Sequence, residues 1–85
     1  MLNPKEYRFM RTEILSYREL ILHNKEELGG AHSFLASRYF NHEIKKYQED
    51  GFIIEVVNMT TNVVSDYKDS SVMLYSIHLM LYMPI

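Results

Sequence analysis

The sequence contains no cysteine among its 85 residues, which excludes disulfide bridges and thiolate zinc sites. A chain of this length buries only about 60 to 65% of its unfolded surface, so a monomer has little stability in reserve. Small domains compensate with disulfides, metal ions or oligomerisation, and the first route is closed here. We therefore predict a homodimer.

The chain also lacks an apolar run of the roughly 18 to 20 residues that a membrane-spanning helix needs. Its longest apolar stretch, near the C-terminus, is interrupted by Ser76 and His78. The opening stretch "MLNPKEYRF" has no signal-peptide core, and a net charge of −2 gives no general attraction to nucleic acid or to an anionic membrane. We expect a cytoplasmic protein with no membrane partner.

Motifs that carry chemistry are scarce. The segment "LGGAH" at residues 28–32 lacks the lysine and the spacing of a phosphate-binding loop. No two histidines lie three or four residues apart, the spacing of zinc ligands on one helix face. The histidines are His23, His32, His42 and His78. We predict no catalytic residue, no metal site, no cofactor and no enzymatic activity.

Hydrophobic residues make up 47% of the chain and charged residues 24%, the composition of one globular domain over residues 1–85. Asn3, Pro4 and Glu6 have the pattern of a helix start, with a cap, a first-turn proline and a capping-box glutamate. Apolar residues then recur at spacings of three and four until Gly29 and Gly30, which predicts a first helix.

A second helix is predicted over residues 33–50, with Ala36, Phe40, Ile44 and Tyr47 on one face and Gly51 as its left-handed terminator. Two β-rich segments follow, "FIIEVVNM" and "SSVMLYSIHLMLYM". A turn is expected at residues 66–70. The sequence does not decide whether a short middle strand forms at Val63 and Val64. The predicted fold class is α+β: two N-terminal helices followed by an antiparallel β-hairpin or three-stranded meander, in a dimer.

The first predicted helix also carries a charge pattern. If Tyr7 and Ile14 occupy heptad position a, then Glu6 and Glu13 fall at g, and they face Arg11 and Arg18 of a second chain in a parallel coiled coil. Asn24 then falls at a core position and sets the register. Packing of this helix on the chain's own sheet predicts the same apolar spacing, so both readings stay open.

The last strand separates by parity into two faces. The odd positions from Met73 to Met83 are wholly apolar and are expected to face the helices. The even positions mix apolar, small and polar groups, which suits an interface. The predicted dimer or partner interface consists of Tyr7, Met10, Arg11, Glu13, Ile14, Tyr17, Arg18, Ile21, Asn24, Leu74, Ser76, His78, Met80 and Tyr82.

We expect a small non-catalytic protein that binds another protein as a regulator, adaptor or inhibitor and acts as a homodimer. Such proteins are common in phages and mobile elements, one setting that the size and composition suit. A less favoured alternative is a nucleic-acid-binding dimer that uses a basic stripe on the first helix, formed by Arg8, Arg11, Arg18 and Lys25. A second alternative is a small enzyme or ligand-binding protein with a pocket around His78, Glu55 and the tyrosines.

Overall fold

The computed structural model describes residues 2–22 and 31–85, with side chains described from Leu35 onward in the second range. Its elements, in chain order, are strand β1 (Tyr7–Leu22), helix α1 (Ala31–Glu49), strand β2 (Ile53–Asp66) and strand β3 (Ser70–Pro84). The predicted order of two helices followed by strands is therefore wrong, because the chain begins with a strand and the described residues contain one helix.

The three strands form one sheet in the order β1-β3-β2, so β3 lies in the centre. It runs antiparallel to both neighbours, and β1 and β2 consequently run parallel to each other. A central strand has a neighbour at each edge and is shielded more than an outer strand. This position explains why β3 is apolar at nearly every residue.

The segment predicted as the first helix forms β1 because its apolar residues fit both periods. Tyr7, Ile14 and Ile21 recur every seven residues, but Leu15, Tyr17 and Ile21 also alternate along a strand. Strand pairing decides between the two, since residues from Tyr7 to Leu22 pair with β3 along its whole length. Aromatic and β-branched residues in this segment also favour an extended chain.

The predicted helix start forms a single turn that does not continue. The Asn3 side-chain oxygen accepts a hydrogen bond from the Lys5 amide at 2.9 Å. The Asn3 carbonyl accepts hydrogen bonds from the amides of Glu6 and Tyr7 at 3.0 and 2.9 Å. The capping chemistry is thus present, but the chain enters β1 at Tyr7.

Helix α1 confirms the second predicted helix and covers one face of the sheet. Ala36 and Phe40 are buried in the core, and Ile44 and Tyr47 pack against it. The sheet contributes Leu15, Ile77, Leu79 and Leu81. Gly51 ends the helix at a φ of 96°, a left-handed conformation that glycine adopts without a steric cost. The odd residues of β3 face the helix, as their parity predicts.

Strands β2 and β3 form a hairpin whose turn lies where the sequence predicts it. The Tyr67 amide donates to the Ser70 carbonyl at 2.7 Å, and the Ser71 hydroxyl donates to the Asp66 carboxylate at 2.7 Å. Val63 and Val64 belong to β2 and form no separate middle strand. The strand has irregularities at Val57 and Val64, where its register with β3 shifts.

Across the described ranges, no helix has the length and the apolar character required to cross a membrane.

Candidate partner-binding surface

The side of the sheet opposite α1 forms a long surface, which we call the open face. Cross-strand pairing through β3 defines six rows of three residues, or eighteen positions. The rows are Phe9, Tyr82 and Ile53; Thr12, Met80 and Glu55; Ile14, His78 and Asn58; Ser16, Ser76 and Thr60; Arg18, Leu74 and Asn62; and Leu20, Val72 and Ser65.

Charged side chains are rare on the open face. Of its eighteen positions only Arg18 and Glu55 carry a charge. Large apolar groups stand among the others, and Ile14 and Leu20 are each 59% exposed. Depletion of charge together with exposed aliphatic and aromatic groups distinguishes the centre of a protein interface from ordinary solvent-exposed surface.

The centre of the open face is a row of hydroxyl groups. The Oγ atoms of Ser16 and Ser76 lie 3.2 Å apart and share a hydrogen bond, and Thr60 lies opposite Ser76 on the other side. These side chains are short, so larger residues on both sides flank them, among them Ile14 and Leu74. The row presents hydrogen-bonding groups, with apolar side chains next to it at Ile14 on one side and Leu74 on the other.

One end of the open face is closed by the N-terminal segment. Leu2, Pro4 and Tyr7 line a cavity of about 260 Å³ together with Phe9, Met80 and Tyr82. Phe9 and Tyr82 meet edge to face, with their ring centroids 5.8 Å apart. Tyr82 is only 4% exposed although it lies on this face. The surface that a partner can reach therefore begins beyond Tyr82.

Tyr82 is fixed by a hydrogen bond as well as by packing. Its hydroxyl donates to the Glu55 carboxylate at 3.1 Å and lies 3.7 Å from the Met80 sulfur. Burial, followed by the bond to Glu55, raises the pKa of Tyr82 above its ordinary value. The phenol therefore stays protonated and donates to the carboxylate over the whole neutral pH range.

The structure divides the predicted interface residues between two faces. The five residues from β3, together with Ile14 and Arg18, lie on the open face. Arg11, Glu13, Tyr17 and Ile21 lie on the side of α1, and Met10 lies at the irregularity between Phe9 and Arg11. Tyr7 lies beside the cavity at the closed end. Asn24 is outside the described residues.

The predicted pairing of charges between two chains is wrong, because β1 is not a helix. Arg11 Nε lies 2.8 Å from the Glu13 carboxylate of its own chain. The guanidinium also lies over the Phe52 ring, 5.1 Å from its centroid. Both contacts are on the α1 side of the sheet. Glu13 is therefore engaged within one chain and does not serve as a partner for Arg18 of another.

The predicted basic stripe is dispersed for the same reason. Arg8 and Arg11 pair with Met83 and Leu81 on the α1 side, whereas Arg18 lies on the open face. Lys25 is outside the described residues. A helix would have aligned these cations, but a strand separates them by parity. The three described arginines therefore do not lie along one side of β1 as the stripe requires.

His78 and Glu55, named for a small-molecule pocket, do share the open face. They lie in adjacent rows, and His78 is exposed. In the part of the chain that the structure describes, no three histidine or acidic side chains are grouped so that they could hold a metal ion.

Ser76, Ile14 and Leu74 belong to the predicted interface, but Ser16 and Thr60, which complete the hydroxyl row, were missed by sequence reasoning. If the segment had been interpreted as a strand, its alternation would have placed Thr12, Ser16 and Leu20 on one face together with Ile14 and Arg18.

No family model, no curated protein and no solved structure matches the chain.

Proposed function

We propose that this chain is a small non-catalytic cytoplasmic protein that binds a different protein through the open face, as a regulator, adaptor or inhibitor. The observation that carries the proposal is the near absence of charge on the open face. Only two of eighteen positions are charged, and Ile14, which is 59% exposed, has no charged residue beside it on this face of its strand or in its row.

The size of the open face supports a protein partner. Beyond the closed end, residues 70–81 of β3 extend about 40 Å at about 3.3 Å each, and three strands span about 14 Å. The resulting area of about 560 Å² corresponds to about 1,100 Å² buried by the two partners together, a size at the lower end of specific protein complexes. A small ligand would use only a fraction of it.

The hydroxyl row favours a different protein over a second copy packed face to face. Two sheets that pack as a sandwich bury apolar inner faces. Here such packing would place Ser16, Ser76 and Thr60 at the centre of the buried layer. A partner that offers hydrogen-bonding groups at this row, and apolar groups against Ile14 and Leu74, satisfies both chemistries.

The test is photo-cross-linking with benzoyl-phenylalanine placed at His78 on the open face and, as the control, at Gln48 on the exposed side of α1. Both positions are exposed, and neither lies in the core. In extract of the source cells, the His78 probe is expected to capture one heterologous protein that the Gln48 probe does not.

A Leu74→Glu substitution should abolish that adduct, because it replaces an apolar contact residue near the centre of the open face with a carboxylate that a partner would have to desolvate. Adducts that form equally from Gln48, or that survive Leu74→Glu, contradict the proposal. The same holds if the His78 probe yields only adducts between two copies of this chain.

A further inference from the structure

The two outer strands of the sheet differ in charge. In the described sheet neither outer edge is paired with another strand. Strand β1 carries five charged residues, and such charges keep an exposed edge from pairing with other chains. They are Arg8, Arg11, Glu13, Arg18 and Glu19. Strand β2 has no charged residue at residues 56–65, so its edge lacks this protection.

The uncharged part of β2 also exposes apolar side chains. Met59 is 68% exposed and Val63 55% exposed, and both lie on the α1 side of the sheet opposite Ile77 and Met73. Val57 and Val64 are exposed as well, at the two register shifts. Residues 58–63 between the shifts form a regular segment. An uncharged edge with these side chains is a template for another strand.

A groove runs beside this edge, between β2 and α1. Two adjoining cavities of about 140 and 160 Å³ lie along it, and Phe40, Met59 and Ile77 line both. Met59 lies at its margin and is 68% exposed. A strand added to the edge of β2 would cover part of this side chain.

We propose that β2 pairs antiparallel with β2 of a second copy, with the two-fold axis at Thr61. In this register Thr61 faces the partner's Thr61, Met59 faces the partner's Val63, and Thr60 faces the partner's Asn62. The first is a threonine–threonine pair, the second is an apolar pair on the α1 side, and the third is a polar pair on the open face. Each pair matches like chemistry.

The charges of β2 favour a second copy as the occupant. Its two acidic residues lie on opposite faces, Glu55 opposite Met80 on the open face and Asp66 opposite Ser71 on the α1 side. Residues that face each other across an antiparallel pair share one face of the sheet. Two copies of β2 therefore never place Glu55 against Asp66. The pairing is isologous, as two-fold dimers require.

The axis at Thr61 is preferred over the neighbouring one at Thr60. An axis at Thr60 would set Met59 against the partner's Thr61 and leave its exposed side chain beside a polar group. The axis at Thr61 sets it against Val63 and uses residues 59–63, which lie between the two register shifts. The contact between the two Thr61 residues then occurs once, and every other contact occurs twice.

The inference deepens the proposed function. A two-fold axis perpendicular to the sheet keeps both α1 helices on one side, so two open faces join in one surface of six strands. The pairing itself depends on the edge of β2 alone. The two claims can therefore fail separately: a monomer that still captures its partner at His78 overturns the pairing and leaves the proposed function intact.

The absence of native cysteine allows a direct test. Thr61→Cys places two thiols across the axis, where paired strands bring Cα atoms to about 4.5 to 5.5 Å, within disulfide range. Thr60→Cys is the matched control one residue away, and Thr12→Cys is a control on the edge of β1. All three positions are exposed threonines, and circular dichroism checks that each variant folds.

Under mild oxidation, Thr61→Cys is expected to form a disulfide dimer at least about tenfold faster than either control. Light scattering of the unmodified chain is expected to give twice the 10.2 kDa mass of one chain. Equal cross-linking at residues 60 and 61, preferential cross-linking at residue 12, or a monomeric mass at tens of micromolar overturns the proposal.

Discussion

Opposite charges introduced at Met59 and Val63 test the register of the proposed dimer. In that register Met59 of one chain faces Val63 of the other, and the contact occurs twice. We expect Met59→Lys and Val63→Glu each to weaken the dimer, because each places a charge against an apolar group. The double variant should recover part of the affinity, since the introduced lysine of one chain would then face the introduced glutamate of the other.

The exposed fractions of the two side chains give the expected loss of dimer affinity. Complete burial of a methionine or valine contributes about 1.5 to 3 kcal/mol, and these residues are 68% and 55% exposed. Covering one Met59 is therefore worth about 1 to 2 kcal/mol, and two-fold symmetry doubles this. Losing about 2 kcal/mol raises the dissociation constant about 30-fold.

An exposed cross-strand ion pair returns about 0.2 to 1 kcal/mol, and the double variant forms two. Its dimer should therefore be about 2- to 30-fold tighter than that of Met59→Lys alone. Sedimentation equilibrium measures the three constants. A double variant that dissociates as readily as the weaker single variant would refute the register, and single variants with unchanged affinity would refute the use of this edge.

Three predictions concern the fold. Leu79 is fully buried beneath α1, so Leu79→Ala should lower the free energy of unfolding by about 2 to 5 kcal/mol in urea titration; a loss below about 1 kcal/mol would contradict the described core. Gly51→Ala should cost about 1 kcal/mol or more, because the added Cβ meets only an ordinary contact but the φ of 96° is strained for alanine. An unchanged midpoint there would argue against the helix ending at this glycine. Burial raises the pKa of Tyr47, Tyr75 and Tyr82, so their contribution to stability is complete below the unfolded pKa near 10 and is lost as pH rises through the folded values. Unfolding titrations between pH 8 and 11.5 should show stability falling above about pH 10, and a flat profile would contradict the burial of these rings.

The sequence predicts α1 well because its evidence is local. Ala36, Phe40 and Ile44 recur at helical spacing, and Gly51 provides a terminator within the same segment. The two faces of β3 follow from parity alone for the same reason. In each case the residues that decide the structure lie within about twenty positions of one another.

Strand β1 could not be predicted in this way, because its local pattern supports two structures. Leu15 and Tyr17 are as consistent with alternation as Tyr7 and Ile14 are with a heptad. Pairing with β3 decides that this segment is a strand, and the paired residues are about 60 positions apart in the sequence, as Ser16 and Ser76 are. Such a long-range preference is not visible in a window of one helix.

The error in β1 carried over to the candidate site. A helix would have placed Arg11 and Arg18 on one side with Ile14, whereas the strand places them on opposite faces. The β3 residues of the site were placed correctly on one face, because their parity did not depend on β1. The edge of β2 was not found, since its exposure depends on which strand occupies the centre of the sheet.

The central claim is that the open face binds a different protein, and the affinity for the protein captured through His78 tests it most directly. Calorimetry should compare the unmodified chain with Leu74→Glu and with the matched control Gln48→Glu on α1. We expect Leu74→Glu to weaken binding at least about tenfold and Gln48→Glu to leave it unchanged. Equal affinity of all three chains, or a loss confined to Gln48→Glu, would contradict the claim.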